Sequence, residues 1–305
     1  MDSLAPLIAS AIVAGTPLML AGLGLLINER SGVINLGSEG MMLMGAISAF
    51  AVVVATGNFF FGFVAGALVS MLMSGFFAWL TIWLGANQVA TGLALSLFGV
   101  GASAYLGLPY AGESLLPPQF GVPLLQDIPV LGQALFSHHP MVYGSLILCV
   151  AIAWFLGRTR AGLILRAVGE SPTSAHSLGY NVRRIRLAAV LFGGSCCGVA
   201  GAFMSLVYTP LWVEGMVAGR GWIALALVAF ATWRPYRLMA GAYLFGGITI
   251  LTYHMQALGV PIASQLLSML PYIATIVVLV LISRNSTWIR LNMPASLGKT
   301  FNPNS

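Results

Sequence analysis

Residues 158–186 read RTRAGLILRAVGESPTSAHSLGYNVRRIR, and their reading organises the rest of the chain. The stretch carries six of the thirteen basic residues, Arg158, Arg160, Arg166, Arg183, Arg184 and Arg186, and it lies between two long apolar runs. A basic loop between apolar runs belongs to a chain that crosses a membrane. Its middle, GESPTSAHSLGYN (169–181), has helix punctuation of its own. Ser171 can cap a helix, because its hydroxyl can accept from an unpaired backbone N–H. Pro172 suits the first helical position, where no N–H is needed. Gly179 can take the left-handed conformation that ends a helix. The spacing predicts a helix of about two turns over 172–178 between basic flanks. On the cytoplasmic side of a membrane protein, such a helix is a surface for a partner.

Working outward, composition sets the class. Hydrophobic residues make up 59% of the chain and charged residues 7%, against roughly 25% charged in a soluble domain. This chain could not cover a water-facing surface, so the expected fold is all-α, a polytopic transmembrane helical bundle in one domain over 1–305. The first 27 residues lack a basic leader and a small-residue cleavage site and read as a retained span. The net charge of +6 sits in loops, which argues for membrane topology and against nucleic acid. Cys149, Cys196 and Cys197 lie in apolar runs, with neither a disulfide framework nor a zinc pattern.

A spanning helix needs about 20 apolar residues. Nine segments qualify: about 4–27, 39–57, 59–84, 88–107, 140–157, 187–207, 219–233, 238–256 and 262–282, the seventh of them short. With Arg284, Arg290 and Lys299 in the cytoplasm, twelve of the thirteen basic residues fall inside and Arg220 stands at an outer boundary. The amino terminus is then outside. Two segments face outward. Residues 108–139 hold Pro117, Pro118, Pro123 and Pro129 with Glu113 and Asp127, and read as a compact lid or short re-entrant pieces. Residues 208–219 hold Tyr208, Trp212 and Glu214; the aromatics suit a membrane interface, and Pro210 and Gly215 suggest a turn or a short dipping helix. Gly62/Gly66 and Gly194/Gly198 are GxxxG pairs, for internal packing or for subunit dimerisation.

Polar residues inside apolar sequence are costly and often functional. NERSGVINLGSEG (28–40) holds Asn28, Glu29, Arg30, Asn35, Ser38 and Glu39. It reads either as a cytoplasmic loop or as a broken helix entering the membrane. GANQVATG (85–92) places Asn87, Gln88 and Thr91 at helical spacing, to bond a passing polar solute or to tie helices together. His138 and His139 have no third ligand in view, and Tyr253, His254 and Gln256 could line a path or simply be buried and bonded. The chain has no HExxH, and Gly298-Lys299-Thr300 has Met293 where a phosphate loop needs its first glycine. No cofactor or metal is expected, and energy for uphill transport must come from an ion gradient or another subunit.

Five stretches together resemble a known family: SGVINLGSEGMMLMGA (31–46), NQVATGLAL (87–95), RAVGESPTSAHSLGYNVRRIR (166–186), GRGWIALALVAF (219–230) and LPYIATIVVLVLIS (270–283). They resemble permease subunits of ABC importers in the branched-chain amino acid, ribose and nucleoside branch, nearest the nucleoside/simple-sugar type, over nearly the whole chain. The resemblance implies that the GE-x-P-x-A-A-like core is a coupling helix docking on a separate ABC ATPase, with Gly169, Glu170, Ser171, Pro172, Ala175 and Gly179 shaping that contact. Ser174 and His176 depart from the family's alanine or charge. It also implies the bacterial inner membrane, a periplasmic or lipoprotein substrate-binding protein, a second homologous permease forming a heterodimer, and a nucleoside as first substrate, ahead of a simple sugar and a branched-chain amino acid. Translocation contacts would come from Asn28, Asn35, Glu39, Asn87, Gln88 and Thr91. Two other classes compete. An ion-driven secondary transporter needs deep acids or histidines, and Glu39 alone is placed for that. An intramembrane enzyme needs a nucleophile–base or metal set, and the chain has none that is recognisable.

Overall fold

A computed structural model describes residues 4–118, 136–258, 264–283 and 292–302. In chain order the helices are α1 (Leu4–Arg30), α2 (Ser38–Thr56), α3 (Phe59–Ala78), α4 (Gln88–Gly107), α5 (Pro140–Arg158), α6 (Arg160–Glu170), α7 (Pro172–Ser177), α8 (Val182–Phe203), α9 (Arg220–Phe230), α10 (Pro235–Ala257) and α11 (Ser264–Ser283). Wide π-type turns extend α3 through Trp79–Trp83 and α8 through Met204–Tyr208. Among the described residues, seven helices are long and apolar enough to cross a membrane: α1 to α5, α8 and α10. The all-α, multi-span fold is therefore as read, and α11 supplies the ninth apolar segment. Residues 119–135 of the expected outer lid, with Pro123, Pro129 and Asp127, and also Arg284 and Arg290, lie outside the described residues.

The seventh segment needs correction. Its helix, α9, has 11 residues, about 16 Å long at 1.5 Å per residue, or roughly half of a ~30 Å hydrocarbon core. Turns bound it on both sides. Gly219 has φ +80 at its start, and Thr232 and Trp233 have φ +50 and +52 just beyond its end.

α1 and α8 are the most enclosed helices, while α3, α4 and α5 turn most of their surface outward. The outward residues are apolar, Leu72, Phe76, Phe98 and Trp154 among them, as lipid contact requires. Small residues set the close approaches. A Cβ on Gly198 of α8 would meet the Gly66 carbonyl of α3, and one on Gly45 of α2 would meet Gly198. Gly194 lies against Ser74, and Gly62 against Val53 and the Ala49 carbonyl. Both GxxxG pairs thus pack inside the chain, where they let backbones approach.

The helices run between two faces. One gathers the carboxyl end of α1, the α5–α8 corner, the α9–α10 turn and residues 292–302, and it holds every described basic residue except Arg220. On the other, Leu115 N–H donates to the Pro210 carbonyl at 2.8 Å beside the Ser114–Leu211 bridge. The two segments read as outward-facing therefore meet. Trp212 is buried there against Gly107 instead of lying at an interface.

Candidate functional site

The basic-face segment is built as its punctuation implies. Thr159 Oγ1 accepts from Gly162 N–H at 3.0 Å and opens α6. Ser171 Oγ accepts from Ser174 N–H at 3.3 Å and caps α7, with Pro172 in first place. Gly179 has φ +87, and Asn181 Oδ1 accepts from Arg184 N–H to start α8. The short helix covers Pro172–Ser177, one residue less than expected. Of its residues Ala175 alone is buried, on Val168 and Val182 with Phe301 beside them. Thr173, Ser174, His176, Ser177, Leu178 and Tyr180 are exposed, so α7 is a knob on a firm seat.

The seat is tied down by Ser296 and Ala295, which the sequence reading did not single out, and by Arg186. The Gly169 carbonyl accepts from Ser296 N–H (3.0 Å) and Ser296 Oγ (2.6 Å). Glu170 Oε2 accepts from Ala295 N–H at 3.4 Å. Arg186, buried, donates from Nε to the Ser31 carbonyl and from its terminal nitrogens to the Lys299 carbonyl and Ser296 Oγ, each at 3.1 Å. Gly169 itself abuts the Arg30 carbonyl, where a Cβ would not fit. Residues 292–302 are irregular chain without periodicity, so no pattern pointed to them. The available signal was Arg186, an arginine too deep in a helix to be left without acceptors.

The 28–40 cluster is a break between helices packed inside the chain. α1 runs to Arg30, α2 begins at Ser38, and the non-helical residues between them are buried or half-buried. Protein groups satisfy this backbone, as irregular chain within an apolar bundle requires. Ile34 N–H donates to Gln88 Oε1 (2.8 Å), Gly37 N–H to Asn35 Oδ1 (2.9 Å) and Gly298 N–H to the Gly32 carbonyl (3.1 Å).

The same stretch holds α9 at both ends. Glu39 Oε1 and Oε2 accept from Gly219 and Gly221 N–H at 2.7 and 2.8 Å, so a carboxylate from the first turn of α2 caps the amino end of α9. Two positive helix ends favour an anion at that point. Ser38 Oγ donates to the Gly221 carbonyl at 3.0 Å. At the far end, Glu29 Oε2 accepts from Trp233 Nε1 at 2.6 Å, and Arg30 donates to the carbonyls of Trp233 (2.9 Å) and Asn292 (3.0 Å).

The six pathway candidates are thus placed as follows. Asn35, Glu39 and Gln88 are buried and bonded within this break. Asn87 is exposed as the cap of α4, accepting from Ala90 N–H. Thr91 is half-buried in an apolar groove with Phe76, Phe77 and Phe98. Asn28 is fully buried against Gly193, and neither amide atom has a hydrogen-bond partner among the described residues. On the opposite face, His139 Nδ1 accepts from Met141 N–H, and burial pushes its imidazole down to about 4.

Comparison with known proteins adds the family. The family of branched-chain amino acid transport system permease components matches residues 7–282. A provisionally named glucose ABC transporter permease protein of Haloferax volcanii is 40% identical, over 99% of each chain. The nucleoside ABC transporter permease protein of Lactococcus lactis subsp. cremoris is 35% identical over 92% of this chain and 93% of its own. The guanosine ABC transporter permease protein of Bacillus subtilis is 32% identical over 90% of each. No solved structure matches. A helical bundle of this kind, matched along nearly its full length, leaves one assignment: the chain belongs to the ABC importer permease family of the branched-chain amino acid transport type.

Proposed function

We propose that this chain is the membrane-spanning subunit of an ATP-driven importer for a small hydroxyl-bearing solute, a nucleoside in the first instance. The observation that carries the reading is α7. A capped, exposed helix of six residues stands on a seat bonded to the ends of α1, α8 and the 292–302 segment. That is a rigid lever, and moving it can switch packed helices between discrete arrangements. In this reading the basic face is cytoplasmic and an ABC ATPase docks on α7. Glu170, Ser171, Pro172 and Gly179 shape the knob, while Gly169 and Ala175 fix it from within. A substrate-binding protein delivers solute to the opposite face, and a second, related permease completes the pathway in the inner membrane.

Asn28, Asn35, Glu39, Asn87, Gln88 and Thr91 remain our candidates for contact with the solute when the bundle rearranges. Two relatives named for nucleosides support the substrate. The Haloferax relative, at 40% identity, favours a simple sugar as the second reading. Competition for uptake between labelled guanosine and glucose separates the two.

The test is to purify the tagged chain in mild detergent, identify stoichiometric partners, and compare Glu170→Ala and Pro172→Ala with wild type. An ATPase should co-purify with wild type, and the variants should hydrolyse ATP without uptake while staying monodisperse. Uptake unchanged in both would remove α7 from coupling. Uptake that survives ATP depletion and collapses with a protonophore would favour an ion-driven transporter.

A further inference from the structure

Near the basic face α5 stands away from α8, and an apolar groove of about 670 Å³ opens between them. Ile27 of α1 forms its floor; Leu148 and Phe155 of α5, Ile164 of α6, and Ala188 and Phe192 of α8 form its walls. Each of the three wall helices ends its groove-lining stripe in an arginine. On α5, residues 148, 151 and 155 lead to Arg158 at helical spacing. On α6, Arg160 precedes Ile164 by one turn. On α8, Arg184 precedes Ala188 by one turn. All three arginines are exposed. Glu170, the one acid between 158 and 186, is at the far end of α6, where its carboxylate accepts from Ala295 N–H.

An apolar trough whose three wall helices each carry an exposed arginine just past the lining residues is complementary to a molecule with a long hydrocarbon part and an anionic head. We propose that the groove binds an anionic phospholipid, with one acyl chain along α5 and α8 and the headgroup phosphate among Arg158, Arg160 and Arg184. Basic pockets between membrane helices attract anionic headgroups in this way. An apolar transmembrane helix from another subunit would fill the apolar part and bring no counter-charge to the three arginines. A free anion would satisfy the arginines and leave the trough empty. The phospholipid satisfies both. Tyr180, beside the exposed face of α7, also lines the groove, so an occupant would touch the seat of the knob that we assign to coupling. The binding proposal itself does not depend on that assignment.

The test uses the full chain, exchanged into an equal mixture of phosphatidylglycerol and phosphatidylcholine with identical acyl chains, then stripped in mild detergent and weighed by native mass spectrometry. Wild type should retain one phosphatidylglycerol in preference to phosphatidylcholine. Arg160→Gln/Arg184→Gln should cut that preference by about five-fold for each arginine while still retaining lipid. These positions are exposed, so the variants should keep the wild-type melting temperature. Ala188→Trp, which fills the trough, should lose the lipid. Equal retention of the two lipids by wild type would overturn the proposal. So would displacement of phosphatidylglycerol by inorganic phosphate alone, or a photo-crosslinker at Ala188 that captures protein and no lipid.

Discussion

At the scale of single residues, Glu39 shows how a polar group inside apolar sequence can be structural. Its carboxylate accepts from two backbone N–H groups at the start of a helix too short to span. Gly221 must be glycine for this to happen, because a Cβ there would meet the Glu39 backbone. Removing the acceptor leaves one buried and one half-buried donor unpaired, at about 1–3 kcal/mol for the buried one and less for the other. Glu39→Ala should therefore destabilise the protein by about 3 kcal/mol, read as a lower thermal midpoint in detergent. Glu39→Gln keeps one acceptor and should fall between. If Glu39→Gln melts like wild type and yet abolishes uptake, the carboxylate acts on the solute or its path, and the capping role is secondary.

At the scale of elements, the short helices are what distinguish this bundle. α7 was legible because its signals are local: a cap, a proline and a terminal glycine within nine residues. The long spans were legible because apolar length suffices. α9 was misread as longer, because its apolar run continues through Ala231 and Trp233 while the chain has already turned at Thr232, a positive-φ residue with no glycine to mark it. The clamp on α9 was not legible at all, since Glu29 and Trp233 lie 204 positions apart and no local pattern links them. That clamp makes a prediction. Trp233→Phe removes the donor and leaves a buried carboxylate oxygen unpaired, which should cost about 1–3 kcal/mol. Replacing both partners by apolar groups costs less than stranding one. Glu29→Met/Trp233→Phe should therefore melt closer to wild type than Trp233→Phe does. Additive losses would show that the bond contributes nothing of its own.

At the scale of the molecule, the end of α1 is where separate parts of the chain converge. Arg30 and Ser31 meet the α9–α10 turn, the seat of α7, Arg186 and the 292–302 segment within a few residues. If α7 is the lever proposed above, its displacement would reach α1 directly, and the 29–39 break would carry it to both ends of α9. This arrangement needs α7, the α9–α10 turn and residues 292–302 on one side of the membrane, with 108–118 and 209–219 on the other. On the reading proposed above, the excess of basic residues puts the first group in the cytoplasm. The native cysteines suit a direct check, because all three are free and buried and should give no background with a membrane-impermeant maleimide. Leu178→Cys and Lys299→Cys should label in inverted vesicles and stay silent in intact cells. Glu214→Cys should do the reverse. Labelling of Leu178→Cys and Glu214→Cys from the same side would break the topology, and with it the reading of α7 as the contact for a cytoplasmic ATPase.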